Sequence, residues 1–429
     1  MSLALVWFRR DLRLRDNEAL VGAVREFDRV LPVYVIDPRE WGFSSHGFRR
    51  TGVFRTRFLG ECVESLREGL MERGGDLLVV EGWPEVVLPE LITRHGAEAL
   101  FASREVGWEE AELERRLVDA LGDGSKVRWF RGQTLLHPED LPFELDALPS
   151  VFTVFRRRVE AGWVVRQELP VPERVPWPER VERCVAGCFE RYGAGEVEDD
   201  ERAVLRFRGG EPAGLGRLES YFWEGDRLRS YKETRNGLVG PEYSSKFSPW
   251  LAMGCLSPRT VYSEVLRYEA ERVKNDSTYW LVFELLWRDY FRFLLEKAGR
   301  RLFWAGGLRG RAGGGERDAE VVTRWLEGRT GQPFVDAGMR ELRLTGYLSN
   351  RMRQNVASYF VHDLGQDWRV GAEWFESMLV DYDVSSNWGN WAYLAGVGTD
   401  PREGRRFNVV GQAERYDPVG EYRKLWAER

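Results

Sequence analysis

Five short runs of β-favouring residues, "LALVWF" (3–8), "VLPVYVI" (30–36), "DLLVVE" (76–81), "ALFA" (99–102) and "KVRWF" (126–130), mark out the first 130 residues. Amphipathic stretches with helical spacing lie between them at 17–27, 51–73 and 108–121. Few folds accommodate that order, because strands joined through helices run parallel and need cover on both faces. The pattern predicts a doubly wound, mainly parallel sheet, an α/β domain over residues 1–130, and such sheets take ligands beyond the carboxyl ends of their strands. The first strand runs into "RRDLRLRDN" instead of a glycine-rich turn, which excludes a dinucleotide fingerprint and a P-loop there.

Beyond residue 130 the alternation stops. "ELPVPERVPWPER" (168–180) carries four prolines that forbid a continuous helix, so residues 131–200 read as an interdomain connector. From 201 the texture is helical, over 214–230, 257–274, 277–298, 318–327, 335–344, 347–363 and 369–380. Residues 201–429 are therefore expected to form a large all-helical domain. Two domains also suit the length, since single cores usually stop growing below about 300 residues.

Composition narrows the function. Cys62, Cys184, Cys188 and Cys255 make no disulfide framework, and the Cys184/Cys188 pair lacks a second pair for zinc or an iron–sulfur cluster. They read as reduced thiols. The N-terminal apolar run is too short for a signal peptide, and no stretch approaches the roughly 18 apolar residues of a membrane span. A net charge of −6 argues against a nucleic-acid binder held by bulk electrostatics. Residues 201–429, however, hold 35 Lys and Arg against 32 Asp and Glu, which allows a local basic face on that half. Eighteen Trp against six Met is an unusual excess. His46, His95, His137 and His362 sit in no catalytic pattern, and no G-x-S-x-G elbow is present.

Four stretches carry the chemistry. The helix 279–299 brings Glu284, Trp287 and Arg288 to one face, either as an ion pair in a core or as a ligand wall. In "GYLSNRMRQNVASYF" (346–360), Tyr347, Asn350 and Gln354 share a stripe with Arg353 adjacent, a poor core and a good wall for a ligand. Ser244, Ser245, Lys246 and Ser248 precede a helical segment, where hydroxyls, N–H groups and a lysine suit a phosphate or serve as ordinary caps. In "LVDYDVSSNWGNW" (379–391), Asp381 and Asp383 share one side of an extended stretch, and Asn387 and Trp391 follow a turn apart. No His or further carboxylate lies within ligand spacing, so no metal site is expected.

Together these stretches resemble the photolyase/cryptochrome flavoproteins over essentially the whole chain, from "WFRRDLRLRDNEAL" (7–20) to "YDPVGEYRKLW" (416–426). The similarity is strongest to the DASH cryptochrome branch. It is carried by "YKETRNGLVGPEYSSKFSPWLAMGCLSP" (231–258), "ELLWRDYFRF" (284–293), "GRTGQPFVDAGMRELRLTGYLSNRMRQNVAS" (328–358) and "LVDYDVSSNWGNWAYLAGVGTDPRE" (379–403).

The resemblance implies an antenna domain, a connector and a helical catalytic domain that holds FAD. Its cofactor positions fall on Tyr231, Ser244, Ser245, Lys246, Phe247 and Ser248, with Glu284, Arg288 and Asn350 also lining the site. Arg353 and Asp381 match the ion pair beside the isoalloxazine, Asp383 faces the pyrimidine edge and Asn387 faces N5. Glu284 matches the group that hydrogen-bonds a damaged pyrimidine, flanked by Trp287 and Tyr347 and contacted by Asn350. Gln354 and Tyr393 are DASH-type choices on that wall. Trp391 and Trp368 match the proximal and middle members of a photoreduction chain. The distal member is expected near 311–316, where no aromatic stands, and Trp304 or Trp325 are the substitutes. Glu105 and the stretch 149–160 resemble the antenna site for methenyltetrahydrofolate. Arg340, Arg343, Arg351, Arg402, Arg405 and Arg406 are the candidate phosphate contacts.

The implied activity is that of a deoxyribodipyrimidine photo-lyase: excited reduced FAD donates an electron to a cyclobutane pyrimidine dimer, the ring splits and the electron returns. The implied partner is UV-damaged DNA, single-stranded by preference, with RNA as a further partner. The protein is expected to be a cytoplasmic, nucleoid-associated monomer without a membrane. A non-catalytic blue-light sensor and a double-strand photolyase are the alternatives.

Overall fold

The computed structural model describes residues 1–122, 124–179, 181, 188–310, 314–400 and 404–427. Strands β1 (Leu3–Phe8), β2 (Arg29–Ile36), β3 (Leu78–Glu81), β4 (Ala99–Ser103) and β5 (Val127–Phe130) form one sheet in the order β3-β2-β1-β4-β5. Every neighbouring pair is parallel. Successive residues of β1 face opposite ways. Ala4, Val6 and Phe8 pack into the core with α1 (Glu18–Glu26) and α2 (Val53–Met71). Leu3, Leu5 and Trp7 pack with α3 (Pro84–His95) and α4 (Trp108–Leu121). Both faces of the sheet are thus covered, and the strand order reverses between β1 and β4, the point where such sheets leave a crevice.

Helix α3 carries Pro89 in its interior, a breaker signal that hides it in the sequence; the buried Leu88, Leu91 and Ile92 hold it in place. The connector also contains a helix, α5 (Phe152–Glu160), whose Phe152, Phe155 and Val159 are buried.

The second half is helical throughout. It comprises α6 (Glu211–Glu219), α7 (Tyr231–Thr234), α8 (Ser248–Ala252), α9 (Pro258–Glu271), α10 (Asp276–Ala298), α11 (Ala319–Leu326), α12 (Pro333–Thr345), α13 (Asn350–Ser358), α14 (Trp368–Met378), α15 (Val384–Leu394), α16 (Val409–Tyr416) and α17 (Glu421–Leu425). The 23-residue α10 runs through the middle. Asn275 and Thr278 close a capping box at its start. None of the helices in the described residues is long and apolar enough to cross a membrane. Cys62 and Cys255 are buried free thiols, whereas Cys184 lies outside the described residues. Among the described residues no cluster of His, Cys, Asp and Glu suits a metal ion.

The two halves dock through the backbone that follows β1. Leu12 N donates to Met253 O at 3.1 Å, Arg13 Nη1 donates to Gly254 O at 2.9 Å, and Arg259 pairs with Asp16 at 2.8 Å and Glu18 at 2.9 Å. The core is correspondingly continuous, running from Phe8 and Phe58 to Phe291 and Phe293. Gly254 sits at the seam with φ +70°, and a Cβ there would run into the backbone of Arg10 and Asp11. Gly254→Ala is therefore expected to lower unfolding stability by about 3 kcal/mol or more, combining backbone strain with a clash against main chain. Gly240, at φ +84° with nothing within 4 Å, is the control. Gly240→Ala should cost only about 1 kcal/mol in the same denaturant titration.

Candidate functional site

A cavity of about 460 Å³ opens within the helical half. Of the candidate cofactor and lesion residues, Tyr231, Ser244, Ser245, Lys246, Phe247, Ser248, Glu284, Trp287, Arg288, Tyr347, Asn350, Arg353, Gln354, Asp381, Asp383 and Tyr393 all line it. Asn387, Trp391 and Trp368 do not.

One end is built by the 241–248 loop. Arg217, on α6, donates to Pro241 O, Ser244 O and Ser245 O at 2.9, 3.2 and 3.0 Å, and so fixes the loop's course from below. Lys246 adopts φ +56° and is 3% exposed. Its ammonium lies 3.2 Å from the centre of the Tyr243 ring and has no hydrogen-bond partner among the described residues. Burial, with Arg217 nearby, pulls the amine down to about 6. A buried cation without an acceptor is costly. A ligand phosphate at Ser244, Ser245 and Lys246 satisfies it.

The next wall joins α13 to α15. Arg353 Nη2 grips both oxygens of Asp381 at 2.9 and 2.8 Å, and its Nε donates to Leu348 O at 2.8 Å. Asp383 caps α15, accepting from Ser386 N at 2.8 Å and Ser385 Oγ at 2.6 Å. Burial alone would raise its carboxyl, but Arg292 and Arg288 hold it down to about 2, so it stands ionised at the cavity. Asn387 lies one turn further along α15, and its Nδ2 donates to Ala372 O of α14 at 3.0 Å.

The mouth is lined from α10. Glu284 does not pair with Arg288. Its partner is Arg235 at 2.6 Å, and Trp280 Nε1 donates to the same oxygen at 3.2 Å. Burial raises the Glu284 carboxyl and Arg235 opposes the shift. Arg288 instead donates to Gln133 O at 2.7 Å and Leu251 O at 3.1 Å, and burial lowers it to about 10. It braces the wall and has both ends of its guanidinium engaged by main chain. The inner face of Trp287 is covered by Phe152, stacked at 3.6 Å and 11°, and Tyr393 meets its edge at 6.0 Å. Phe152, in the stretch 149–160, is thus the backing of Trp287.

Among the candidate phosphate contacts, Arg351 and Arg405 line the mouth. Arg351 donates to Asn236 at 2.8 Å, and Arg405 lies 5.8 Å over Tyr393. Arg340 is committed to Gly328 O and Trp426 O, Arg406 pairs with Asp363 at 2.6 Å, and Arg343 is exposed on α12. Arg402 lies outside the described residues.

A second cavity, of about 710 Å³, lies between the two halves at the carboxyl ends of β1, β2 and β4. Glu105 lines it together with Trp7, Tyr34, Trp108, Trp304 and Trp388. The crevice predicted at the sheet's switch point is therefore real, and the helical half closes it.

Two profiles of known families match the chain: "DNA photolyase" over residues 4–176 and "FAD binding domain of DNA photolyase" over 280–429. The chain belongs to the photolyase/cryptochrome family, on its DASH cryptochrome branch. It is 51% identical to the cryptochrome DASH of Gloeobacter violaceus over 98% of this chain and 85% of that one. To the chloroplastic/mitochondrial cryptochrome DASH of Arabidopsis thaliana it is 48% identical, over 100% and 76%. The crystal structure of the Synechocystis cryptochrome superposes with a TM-score of 0.96 at 50% identity, covering 99% of this chain and 88% of that one. A class III photolyase from Agrobacterium tumefaciens superposes at 0.86 with 29% identity, over 99% and 86%.

An FAD-binding domain fits this cavity. The partnerless Lys246 suits an anion, and the carboxylates of Asp381 and Asp383 offer acceptors to a ring N–H. Arg217, Arg235 and Trp280 are the site residues that the sequence reading missed. The partners of Arg217 and Arg235 lie 24 or more positions away, whereas Trp280 reaches Glu284 one helical turn along the same stretch.

Because Lys246 is neutral above about pH 6 in the empty site, binding a pyrophosphate should draw in a proton. FAD affinity of the flavin-free protein is then level below pH 6 and falls about tenfold per pH unit above it, until the bound-state pKa is reached. Calorimetry in buffers of different ionisation enthalpy measures that uptake, and Lys246→Met should abolish it.

Proposed function

We propose that this protein is a deoxyribodipyrimidine photo-lyase that splits cyclobutane pyrimidine dimers in single-stranded DNA, with residues 1–130 as antenna domain, 131–200 as connector and 201–429 as catalytic domain. The observation that carries the reading is the mouth of the flavin cavity: a half-buried carboxylate, Glu284, beside Trp287, Tyr347 and Asn350. Bound reduced FAD supplies the light-driven electron. The protein's residues have other tasks.

Glu284, fixed by Arg235 and Trp280, accepts hydrogen bonds from the N3–H edge of a flipped pyrimidine. Trp287, backed by Phe152, offers one open indole face on which the lesion stacks. A dimer stacks poorly in its strand, so taking it out costs less than for an undamaged base, and from a single strand less still. The rim suits that substrate: with Arg340 and Arg406 committed elsewhere, Arg235, Arg351 and Arg405 are few cations for gripping a duplex. The same rim accepts RNA lesions only if the 2′-hydroxyl is tolerated. No proton transfer or nucleophile is needed, in keeping with a mouth that holds neither His nor Cys.

Trp391 packs its ring against Gly371 of α14, one turn from Trp368, and Trp368 Nε1 donates to Ala305 O at 3.1 Å. Trp304, the neighbour of that carbonyl, is 49% exposed, whereas Trp325 is fully buried. Trp304 is thus the proposed outlet of the chain; the expected distal position includes 311–313, outside the described residues. Asn387, one turn behind Asp383, is the proposed neighbour of flavin N5. Glu105 and the aromatic walls of the interdomain cavity are proposed to hold methenyltetrahydrofolate as antenna. Action as a cytoplasmic monomer completes the reading.

The test is blue-light illumination of the reduced protein with dimer-containing oligonucleotides. Dimer loss is expected on the single strand at least tenfold faster than on the duplex, and Glu284→Gln should reduce it tenfold or more. No loss on either would leave the light-sensor alternative. With about three phosphate contacts, log K against log salt should have a slope near −2, measured by single-strand titration. Trp304→Phe should slow photoreduction of the oxidised flavin, and an unchanged rate removes it from the path.

A further inference from the structure

One guanidinium touches a wall of both cavities. Arg292, on α10 and 4% exposed, donates through Nη1 to Asp383 Oδ2 at 3.2 Å. Through Nη2 it donates to Glu105 Oε2 at 3.1 Å and Gln133 Oε1 at 2.6 Å. Gln133 Nε2 closes the ring on Glu105 Oε1 at 2.7 Å. Asp383 lines the flavin cavity and Glu105 lines the interdomain cavity. All four side chains are buried or nearly so, with Arg288 and the buried Asp289 as the charged groups nearest to them.

We infer that Arg292 couples the two cavities, so that a ligand engaging Glu105 from the interdomain side favours flavin binding at Asp383, and the reverse. The interdomain ligand is a planar heterocycle with adjacent N–H donors, as the Glu105 carboxylate among indole and phenol rings requires; in identifying it with a reduced pterin the inference rests on the reading given above. A ligand that donates to Glu105 pins its carboxylate, and through it the fork of Arg292 and the carboxylate of Asp383. The second ligand then meets a wall whose ordering is already complete, which is positive cooperativity without movement of the fold. Linkage requires the factor to be the same in both directions. A guanidinium is needed because it alone presents fixed donors to three acceptors at once, where an ammonium is a point charge. Arg292 is in this sense a positioning residue, acting on the flavin through Asp383.

The experiment uses the full-length protein freed of FAD. FAD is titrated by fluorescence with and without saturating methenyltetrahydrofolate, and the pterin is titrated with and without FAD. Wild type should show each ligand tightening the other by the same factor, about fivefold or more. Arg292→Lys should retain both sites and lose the factor. Glu105→Gln, which touches no part of the flavin cavity, should weaken FAD binding severalfold with unchanged thermal unfolding. Equal FAD affinity with and without bound pterin, or a factor that survives in Arg292→Lys, overturns the inference. Should the pterin fail to bind wild type, the antenna reading falls, and the Glu105→Gln titration decides the coupling alone: unchanged FAD affinity refutes it and weakened affinity upholds it.

Discussion

Two arginines on one helix impose the geometry on which everything else rests. Arg288 and Arg292 lie one turn apart on α10, Arg292 4% exposed and Arg288 half-buried in the cavity wall. Leaving either without acceptors would cost about 3–5 kcal/mol. Their acceptors come from four places in the chain: the end of β4 (Glu105), the loop after β5 (Gln133), α8 (Leu251) and the start of α15 (Asp383). Satisfying two charges therefore fixes how the sheet half sits on the helical half. The seam at Gly254, where only a glycine lets the backbones approach, is the steric counterpart of that electrostatic requirement.

From this frame the flavin cavity acquires three zones of different chemistry. At the loop 241–248 a buried amine is held without an acceptor, set to take up a proton together with an anion. Along α13 and α15 two carboxylates line the wall, Asp381 gripped by Arg353 and Asp383 held ionised by the arginines behind it. At the mouth, aromatic faces and one carboxylate with a raised pKa present a stacking and hydrogen-bonding surface. Each zone is destabilising in isolation, and each becomes reasonable when a large polar cofactor and, on the proposed function, a flipped pair of linked pyrimidines fill it. The excess of tryptophan belongs to the same design, since indoles supply stacking surface at the mouth, walls in the interdomain cavity and a line of rings from Trp391 towards Trp304.

Much of this was legible in the sequence for identifiable reasons. Strands buried on both faces write continuous apolar runs, so β1 was readable to the residue and the others to within two. Long amphipathic helices such as α4 and α10 announced themselves by period. Pro89 concealed α3, and the short α5 was lost in a proline-rich neighbourhood. Of the site, the residues on contiguous stretches were found. What local spacing suggested about partners was less secure: Arg288, four residues from Glu284, binds main chain elsewhere, and Arg235, 49 positions earlier, takes its place. Phe152, in the stretch 149–160, backs Trp287, a contact that no local spacing announces. Pairings set by tertiary docking have no period along the chain, which is why Arg217, Arg235 and Arg292 were invisible as site residues.

The account's central claim is that a flavin and a flipped dimer meet within this one cavity. Its most direct test is the fluorescence of bound reduced FAD in the dark, as a single-stranded oligonucleotide carrying one dimer is added. The account predicts quenching that saturates at one lesion per flavin and is absent with the undamaged oligonucleotide. Fluorescence that is unmoved by the lesion, with binding established separately, would contradict it.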